Sequence, residues 1–279
     1  MIQIGEMNSL SIIRERDPGL FLADDDDNEV LLPNRYKPEN YKIYDFLEVF
    51  VYLDNEERLV AVTDKPYIMK GEFALLRCNE VTSVGAFLDW GMVKELFCPF
   101  KEQAFKMKKG GWYLVHCYLD DETNRLVASS KTNRFLNNNT LSVKPFQEVD
   151  LIVSHPSDIG MNVIVNKRHM GLVYHDDIFI DLSIGDILKG YVKKIRPGNK
   201  LDISIGQLGY RNIEPNSKRI LEKLEDNNGF IPLTDKSSPE AIKNDLQMSK
   251  KGFKKAIGNL YKQRLILFKE DGIYLVQNR

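Results

Sequence analysis

The stretch Gly85-Ala86-Phe87-Leu88 begins a β-strand after a turn, and the same pattern recurs at two other places in the chain. Gly19-Leu20-Phe21-Leu22 lies 66 residues before it, and Gly160-Met161-Asn162-Val163 lies 75 residues after it. Each glycine follows a run of β-type residues, which is typical of a turn between two strands. The spacing therefore indicates a structural unit that occurs three times.

Two further landmarks keep nearly the same distance from the glycine in every copy. Fourteen positions after the glycine, an apolar pair is followed by Pro33, Pro99 or Tyr174. After 39 or 40 positions comes a basic residue that begins a strand, and these basic residues are Arg58, Arg125 and Lys200. Each unit contains about five short β-rich segments, and a five-stranded OB-type barrel buries such segments with few open edges. We predict barrel 1 over residues 1–65, barrel 2 over 66–145 and barrel 3 over 146–214.

The pattern changes from alternation to helical spacing after Asn216. Three amphipathic segments each begin near a serine that can cap a helix, namely Ser217, Ser238 and Ser249. Two short β-type segments, 264–268 and 273–276, follow around a turn that contains Gly272. These elements predict a winged helix over residues 215–279. The predicted fold class is mostly β with a C-terminal α+β domain.

Composition and cysteine content exclude several classes of protein. The chain is 43% hydrophobic and 28% charged, which is typical of a folded globular protein. It has neither a basic and apolar leader nor a run of about 18 apolar residues, so we expect a cytoplasmic protein without membrane association. Cys78, Cys98 and Cys117 are odd in number and form no CxxC pair. We expect them to be reduced thiols rather than disulfides or a zinc site.

The net charge of −1 conceals an uneven distribution. Residues 1–65 carry 7 basic and 15 acidic side chains, whereas residues 215–279 carry 13 basic and 8 acidic ones. Phosphate binding depends mainly on Lys and Arg, which release condensed counterions, so the C-terminal segment is the expected nucleic-acid contact. The acidic barrel 1 is expected to be architectural or to bind a protein partner. Charge totals alone favour the alternative, a solvated surface on which charges cluster by chance.

Barrel 3 contains a basic segment, Ile187 to Lys200, without any acidic residue. By strand alternation, Lys189, Tyr191 and Lys193 share one face, and an aromatic among cations is the arrangement that binds single strands. The remaining cations of the segment are Lys194, Arg196 and Lys200. The alternative is that these lysines only discourage edge pairing of a solvent-facing strand.

The third helix of the predicted winged helix is also basic. Residues 250–264 contain six Lys or Arg and no Asp or Glu, and on a helix the cations and the apolar residues fall on opposite faces. The cations are Lys250, Lys251, Lys254, Lys255, Lys262 and Arg264. The third helix of this fold usually enters a nucleic-acid groove. A lysine-rich solvent face without a ligand is the alternative.

The repeated units resemble the S1-type RNA-binding domain. Barrel 2 is the most similar, with Gly85-Ala86-Phe87-Leu88, Asp120 and Arg125, and barrel 3 retains Gly171-Leu172-Val173. The resemblance implies that RNA contacts the Phe after the glycine turn, the residue at the third strand end and the late basic residue. These positions include Phe87, Arg125, Tyr174 and Lys200. Asn162 replaces the Phe in barrel 3, and Pro99 stands where that family has His.

The order of three such units and a winged helix resembles the bacterial conserved virulence factor B family over essentially the whole chain. The resemblance rests on the domain order, on the run from Gly5 to Thr63 and on Gly190 to Arg196. It implies a cytoplasmic RNA-binding protein that influences gene expression after transcription.

The sequence predicts no enzyme, cofactor or metal, because the four histidines are scattered and no phosphate-binding, dinucleotide or nucleophile motif occurs. We expect a monomer that binds single-stranded RNA through basic surfaces of barrel 3 and the winged helix, with barrel 2 assisting. Two alternatives remain: a regulator that reads duplex DNA, which predicts a dimer, and a protein-interaction scaffold that uses barrel 1.

Overall fold

The computed structural model describes residues 1–178, 180–205, 215–262 and 264–276. These residues form three closed five-stranded barrels, followed by three helices and a three-stranded sheet. The predicted fold class is therefore confirmed, whereas the domain limits at residues 65, 145 and 214 stay predictions. Within the described ranges, none of the helices combines the length and the hydropathy needed to cross a bilayer.

All three barrels use their strands in the spatial order first, second, third, fifth, fourth, with the third and fifth strands parallel. Barrel 1 consists of β1 Met7–Arg16, β2 Gly19–Ala23, β3 Glu29–Pro33, β4 Phe46–Leu53 and β5 Leu59–Val62. Barrel 2 consists of β6 Phe73–Val81, β7 Gly85–Asp89, β8 Leu96–Pro99, β9 Trp112–Asp120 and β10 Arg125–Ser129. Barrel 3 consists of β11 Glu148–Ser157, β12 Gly160–Val165, β13 His169–Tyr174, β14 Ile187–Arg196 and β15 Lys200–Ser204. The predicted glycine starts and the predicted Pro or Tyr ends of the strands are confirmed.

The glycine that begins the second strand of each barrel is required by a close backbone contact. A Cβ atom on Gly19 would overlap the carbonyl oxygen of Leu32, and one on Gly160 would overlap that of Val173. Gly85 shows the same crowding against the next strand. Because only glycine lacks a Cβ, only glycine allows the second strand to lie this close to the third.

Barrels 1 and 2 share one continuous apolar core. Trp90, which follows β7, is buried and lies edge-on to Phe50 and Tyr52 of β4, at centroid distances of 5.7 and 6.0 Å. Lys94 Nζ donates to the carbonyl oxygens of Leu53 at 2.9 Å and of Asp54 at 2.6 Å. These contacts fix the turn between β4 and β5 against barrel 2.

Barrels 2 and 3 meet through a smaller apolar cluster on the outer face of β6 and β9. Its buried members are Phe73, Leu114, Ile152 and Ile164. His116 lies beside this cluster, with its ring centroid 4.5 Å from that of Phe73 and 4.0 Å from that of Phe135. Lys167 Nζ also reaches across to Glu72 Oε1 at 2.7 Å. The interface therefore combines an apolar contact with one peripheral ion pair.

The C-terminal unit has the elements of a winged helix. They are α1 Pro215–Asp226, β16 Phe230–Ile231, α2 Pro239–Leu246, α3 Lys250–Lys262, β17 Ile266–Lys269 and β18 Gly272–Leu275. Ser238 caps α2 by accepting a hydrogen bond from the Ala241 amide at 3.1 Å, and Ser249 accepts one from Gly252 at 3.1 Å. Both predicted caps are confirmed.

The prediction that Ser217 caps the first helix is wrong. α1 already includes Pro215, so Ser217 lies inside the helix. The Ser217 side chain is buried, and its hydroxyl donates to the carbonyl oxygen of Ala256 in α3 at 3.4 Å. A serine near the start of a helical pattern can thus serve helix packing instead of capping.

Candidate nucleic-acid interface

A row of aromatic side chains crosses the outer surface of barrel 2. Strand register places Phe87 opposite Phe97, Phe97 beside Val127, and Val127 opposite Tyr118. The rings of Phe87 and Phe97 have centroids 5.2 Å apart. Neighbours of these rings in their strands belong to the barrel core, so alternation turns this row outward; they are Ala86, Leu88, Leu96, Cys98 and Cys117.

The aromatic row lines a groove of about 840 Å³, which we call the barrel 2 groove. Its lining also includes Thr82 and Val84 from the turn between β6 and β7. Barrel 1 contributes Tyr52, Leu53 and Asn55 to the same groove. OB folds bind oligonucleotides on the face formed by their second and third strands and the adjoining loops, which is where this groove lies.

The charges in the barrel 2 groove are mixed. The cations Lys94, Lys101 and Arg125 line it together with the acidic residues Glu80, Glu95 and Asp120. The Arg125 guanidinium forms an ion pair with Glu57 of barrel 1, and these side chains are 46% and 64% exposed. An exposed ion pair contributes only about 0 to 1 kcal/mol, so a phosphate group could replace this carboxylate at low cost.

The groove brings together two residues that the sequence predicted, Phe87 and Arg125, and three that it did not. Phe97, Tyr118 and Lys101 were not among the residues that the sequence analysis identified as RNA contacts. Burial of the adjacent Cys98 is the signal that places Phe97 outside, but burial is known only from the structure. The role of Phe87 and Arg125 in binding stays a prediction.

The equivalent face of barrel 1 is occupied by its own side chains. The Arg14 guanidinium lies 4.3 Å from the centroid of the Phe21 ring and forms an ion pair with Glu29. Arg58, at the late basic position, lies 2.7 Å from Asp54. A base could stack on Phe21 only by displacing the Arg14 cation, which favours a supporting role for barrel 1.

Three predicted cations of barrel 3 are held by carboxylates from neighbouring segments. The pairs are Lys189 with Asp150 at 2.6 Å, Lys193 with Asp177 at 2.7 Å, and Arg196 with Asp202 at 2.8 Å. The side chains of Asp177 and Asp202 are largely buried, so these two pairs are less screened than a surface pair. Lys194 and Lys200 are exposed and have no ion-pair partner in the part of the chain that is described.

The predicted face of Lys189, Tyr191 and Lys193 is interrupted in the structure. Lys189 and Tyr191 lie opposite acidic residues of β11, and the Tyr191 hydroxyl donates to Glu148 Oε2 at 2.8 Å, which raises the pKa of Tyr191. Lys193 lies in a β-bulge of β14 and reaches Asp177 after β13 instead. Lys189 and Tyr191 therefore share Glu148 of β11, with Lys189 Nζ 3.8 Å from Glu148 Oε1, whereas Lys193 contacts Asp177, and the three side chains do not form one basic surface.

Tyr174 ends β13 at the position where barrel 2 has Pro99. The Arg196 guanidinium carbon lies 5.9 Å from its ring centroid, and its hydroxyl lies 3.5 Å from Asp202 Oδ1. Asn162, which replaces the Phe of the repeat, donates to the carbonyl oxygen of His155 at 3.2 Å. At the predicted positions, barrel 3 thus offers the half-buried rings of Tyr174 and Tyr191 and the exposed lysines Lys194 and Lys200.

The outer face of α3 carries exposed lysines, as predicted. Lys251, Lys254, Lys255 and Lys262 are exposed, Lys250 is half-buried, and the apolar residues of the helix are buried. Arg264 is also exposed. The space around Gly258 is open, since a Cβ atom there would meet nothing within 4 Å.

An exposed aromatic pair, which the sequence analysis did not identify, accompanies these lysines. Tyr261 of α3 and Phe268 of β17 have ring centroids 5.0 Å apart, and both side chains are exposed. Residues 206–214, which connect barrel 3 to α1, lie outside the described residues. The predicted common surface of barrel 3 and the winged helix therefore stays a prediction.

One histidine, His169, has a structural role in barrel 3 through buried hydrogen bonds. His169 is buried, with Nδ1 2.6 Å from the carbonyl oxygen of Asn137 and Nε2 2.8 Å from the hydroxyl of Ser142. Over the described ranges, no group of three or more His, Cys, Asp or Glu side chains could hold a metal ion. Cys78, Cys98 and Cys117 are free and buried, and burial raises the pKa of Cys98 and of Cys117 to about 12.

Comparison with known proteins identifies both domain types. Residues 4–64 match a family model described as an S1 domain, and residues 218–275 match one described as a CvfB-like winged helix domain. The protein YitL of Bacillus subtilis (strain 168), whose name describes it as uncharacterized, is 28% identical over 294 residues that cover 96% of this chain and 92% of its own. Conserved virulence factor B of Staphylococcus aureus (strain USA300) is 26% identical over 243 residues, covering 82% and 78%.

A solved structure from Streptococcus pneumoniae, described as a multidomain protein with nucleic acid binding domains, is 24% identical and covers 98% of both chains with a TM-score of 0.48. The matches to the S1 and winged-helix models and the two curated relatives confirm the resemblance that the sequence predicted. The domain types support nucleic-acid binding.

Proposed function

We propose that this chain, which matches an S1 domain over residues 4–64 and a CvfB-like winged helix domain over residues 218–275, is a non-catalytic RNA-binding protein of the cytoplasm that acts on gene expression after transcription. It binds single-stranded RNA, with bases in the barrel 2 groove and the phosphate backbone on the lysines of α3. The observation that carries this proposal is the outward row of Phe87, Phe97 and Tyr118 in the groove.

The aromatic row favours a single strand as the ligand. Stacking of a base on an exposed ring contributes about 1 to 3 kcal/mol, and only an unpaired base can offer its face to a ring on a flat barrel surface. Because the groove contains acidic residues beside Lys101 and Arg125, binding there should depend more on stacking than on phosphate contacts. Its contribution to the salt dependence of binding should accordingly be small.

The lysines of α3 supply the complementary, salt-dependent part of binding. Each phosphate contact to a single strand adds about 0.7 to the slope of log K against log salt concentration. Charge reversal at Lys250, Lys251, Lys254 and Lys255 should therefore weaken RNA binding strongly and flatten its salt dependence. Lys189, Lys193 and Arg196 should contribute less, because each already pairs with a carboxylate.

The test is binding of a labelled single-stranded RNA in competition with duplex RNA and duplex DNA at one fixed salt concentration. Phe87→Ala should weaken single-strand binding by about tenfold. Phe21→Ala is the matched control, because Phe21 occupies the same position in barrel 1 but is covered by Arg14. Equal losses in the two variants, or none in Phe87→Ala, would contradict binding in the groove.

Duplex DNA is a second candidate ligand, and the exposed lysine face of α3 favours it, since a winged helix commonly places its third helix in the major groove. That function predicts preference for duplex DNA, dependence on Lys251 and Lys254, and indifference to Phe87→Ala. The competition experiment separates the two functions. For the RNA-binding function we propose a monomer in which the acidic barrel 1 is architectural or contacts a protein partner, whereas the duplex-DNA function predicts a dimer.

A further inference from the structure

The fourth strand of every barrel begins with a large exposed apolar side chain. The three equivalent residues are Phe46, Trp112 and Ile187, and they are 66%, 61% and 79% exposed. Trp112 is one of only two tryptophans in the chain. Its ring packs against no other aromatic ring among the described residues. Exposed tryptophan is unusual, because its ring gains more than other side chains from being covered by a partner.

Cations surround Trp112 on two sides. Arg77 of β6 lies directly opposite Trp112 in the strand register. Lys108 and Lys109 lie in the turn that leads into β9. Two backbone hydrogen bonds to Cys78 hold this turn beside Arg77. The Gly110 amide donates to the carbonyl oxygen of Cys78 at 2.7 Å, and the Cys78 amide donates to the carbonyl oxygen of Gly111 at 2.8 Å. We call Arg77, Lys108, Lys109 and Trp112 the Trp112 patch.

Carboxylates do not neutralise the Trp112 patch. The sequence has no Asp or Glu between Glu102 and Asp120, and all three cations of the patch are exposed without an ion-pair partner in the described part of the chain. The acidic residue that faces the patch is Asp89, opposite Arg77 on β7, and its carboxylate accepts a hydrogen bond from the Gly91 amide at 3.0 Å. The patch therefore differs from the cations of barrels 1 and 3, many of which are paired.

The Trp112 patch is separate from the barrel 2 groove. Trp112 begins β9, whereas Tyr118 of the aromatic row lies six residues along the same strand, or about 20 Å away at strand spacing. Between them, Leu114 is covered by barrel 3 through Ile152. A ligand in the groove therefore does not reach the patch by lying across the same strand face.

We propose that the Trp112 patch is a second site for single-stranded nucleic acid, in which a base stacks on Trp112 while Arg77, Lys108 and Lys109 contact flanking phosphates. An exposed aromatic surrounded by unpaired cations is the combination that binds single strands without sequence preference. The inference rests on the proposed RNA-binding function and adds a contact surface for the strand outside the groove. Its charge gives it the salt dependence that the groove lacks.

The test uses the full chain and a fluorescein-labelled oligouridylate of about 16 nucleotides, the upper end of the footprint of one OB fold. Binding is followed by fluorescence anisotropy over a series of salt concentrations. Trp112→Ala should weaken binding by about tenfold, and Trp112→Phe should restore most of it. The double variant Lys108→Glu and Lys109→Glu should weaken binding and lower the salt slope by about 1.4.

Barrel 1 provides matched controls at equivalent positions. Phe46→Ala removes the exposed ring that corresponds to Trp112, and Lys42→Glu changes the lysine four residues earlier, which corresponds to Lys108. Both controls should change the affinity by less than about twofold, because Asp45 and Glu48 flank Phe46 and oppose phosphate binding. Ultraviolet crosslinking from 5-iodouridine should in addition yield a crosslinked peptide that contains Trp112.

Failure of this inference is distinguishable from failure of the proposed function. If Phe87→Ala weakens oligouridylate binding while Trp112→Ala and the double lysine variant bind like the parent chain, the second site is overturned and the groove remains. If the parent chain itself does not bind oligouridylate, both are overturned. Equal losses in Trp112→Ala and Phe46→Ala would likewise contradict a specific role for the patch.

Discussion

Acidification should destabilise barrel 2 through His116. This side chain is 7% exposed and lies between Phe73 and Phe135, and its Nδ1 atom has no hydrogen-bond partner among the residues that the structure describes. Burial lowers the pKa of His116 from 6.5 to about 4, because the imidazolium ion would lose its hydration there. The folded barrel therefore holds His116 neutral at pH values where the unfolded chain would protonate it.

The sign of the effect follows from proton binding. Below pH 6.5 the unfolded state takes up a proton that the folded state does not, so the free energy of unfolding falls as the pH falls. The loss accumulates between pH 6.5 and about 4 at up to roughly 1.4 kcal/mol per pH unit, and it stops growing below the folded pKa. Between pH 7 and pH 4.5 it should amount to about 2 kcal/mol.

The measurement is urea unfolding at pH 7 and pH 4.5, followed by tryptophan fluorescence. The two tryptophans, Trp90 and Trp112, both lie in barrel 2, so the signal reports this barrel. His116→Phe keeps a ring between Phe73 and Phe135 but cannot titrate. Between pH 7 and pH 4.5, the free energy of unfolding of this variant should therefore fall by about 2 kcal/mol less than that of the parent chain. His175→Gln, at an exposed histidine, is the control. Parallel pH profiles for the parent and His116→Phe would refute the reasoning.

Two further predictions concern the groove and α3. Glu57→Gln should strengthen binding of single-stranded RNA by up to about fivefold, because it releases Arg125 from its ion pair. Glu56→Gln, beside it in the same turn, should not strengthen binding. Anisotropy titrations of both variants would measure this difference. Gly258→Ala should stabilise the winged helix by up to about 1 kcal/mol, because the glycine lies inside α3 with open space around it, and thermal unfolding would detect the change. A lower melting temperature of the Gly258→Ala variant would contradict this prediction, because it would mean that the added methyl group meets a neighbouring atom.

The barrels could be predicted from the sequence because their constraints are local. Gly19, Gly85 and Gly160 recur since each second strand lies too close to its neighbour for a Cβ atom, and a backbone contact of this kind leaves a direct trace in the sequence. The caps Ser238 and Ser249 act within three residues of their own position, and they were predicted correctly. Ser217 was predicted wrongly because its partner, Ala256, is 39 residues away.

The candidate site was harder to predict because charges and ring orientations depend on neighbouring strands. The segment from Ile187 to Lys200 has no acidic residue, yet Asp150 and Asp177 reach its lysines from other parts of barrel 3. Conversely, Lys108 and Lys109 have no ion-pair partner among the described residues, yet they lie in a barrel in which basic side chains only slightly outnumber acidic ones. A count of charges along the chain cannot distinguish paired lysines from unpaired ones, because the partner of a lysine is set by which strands lie next to each other.

The shared core of barrels 1 and 2 makes the first repeat a structural support for its neighbour. Phe50 and Tyr52 cover Trp90, and the same hairpin completes one side of the cleft that holds the aromatic row. A shortened chain that starts at residue 66 would expose an indole to water and leave that cleft open on one side. The smallest autonomous unit that can keep the barrel 2 groove intact is therefore a pair of repeats, because barrel 1 supplies part of its wall and of the core beneath it.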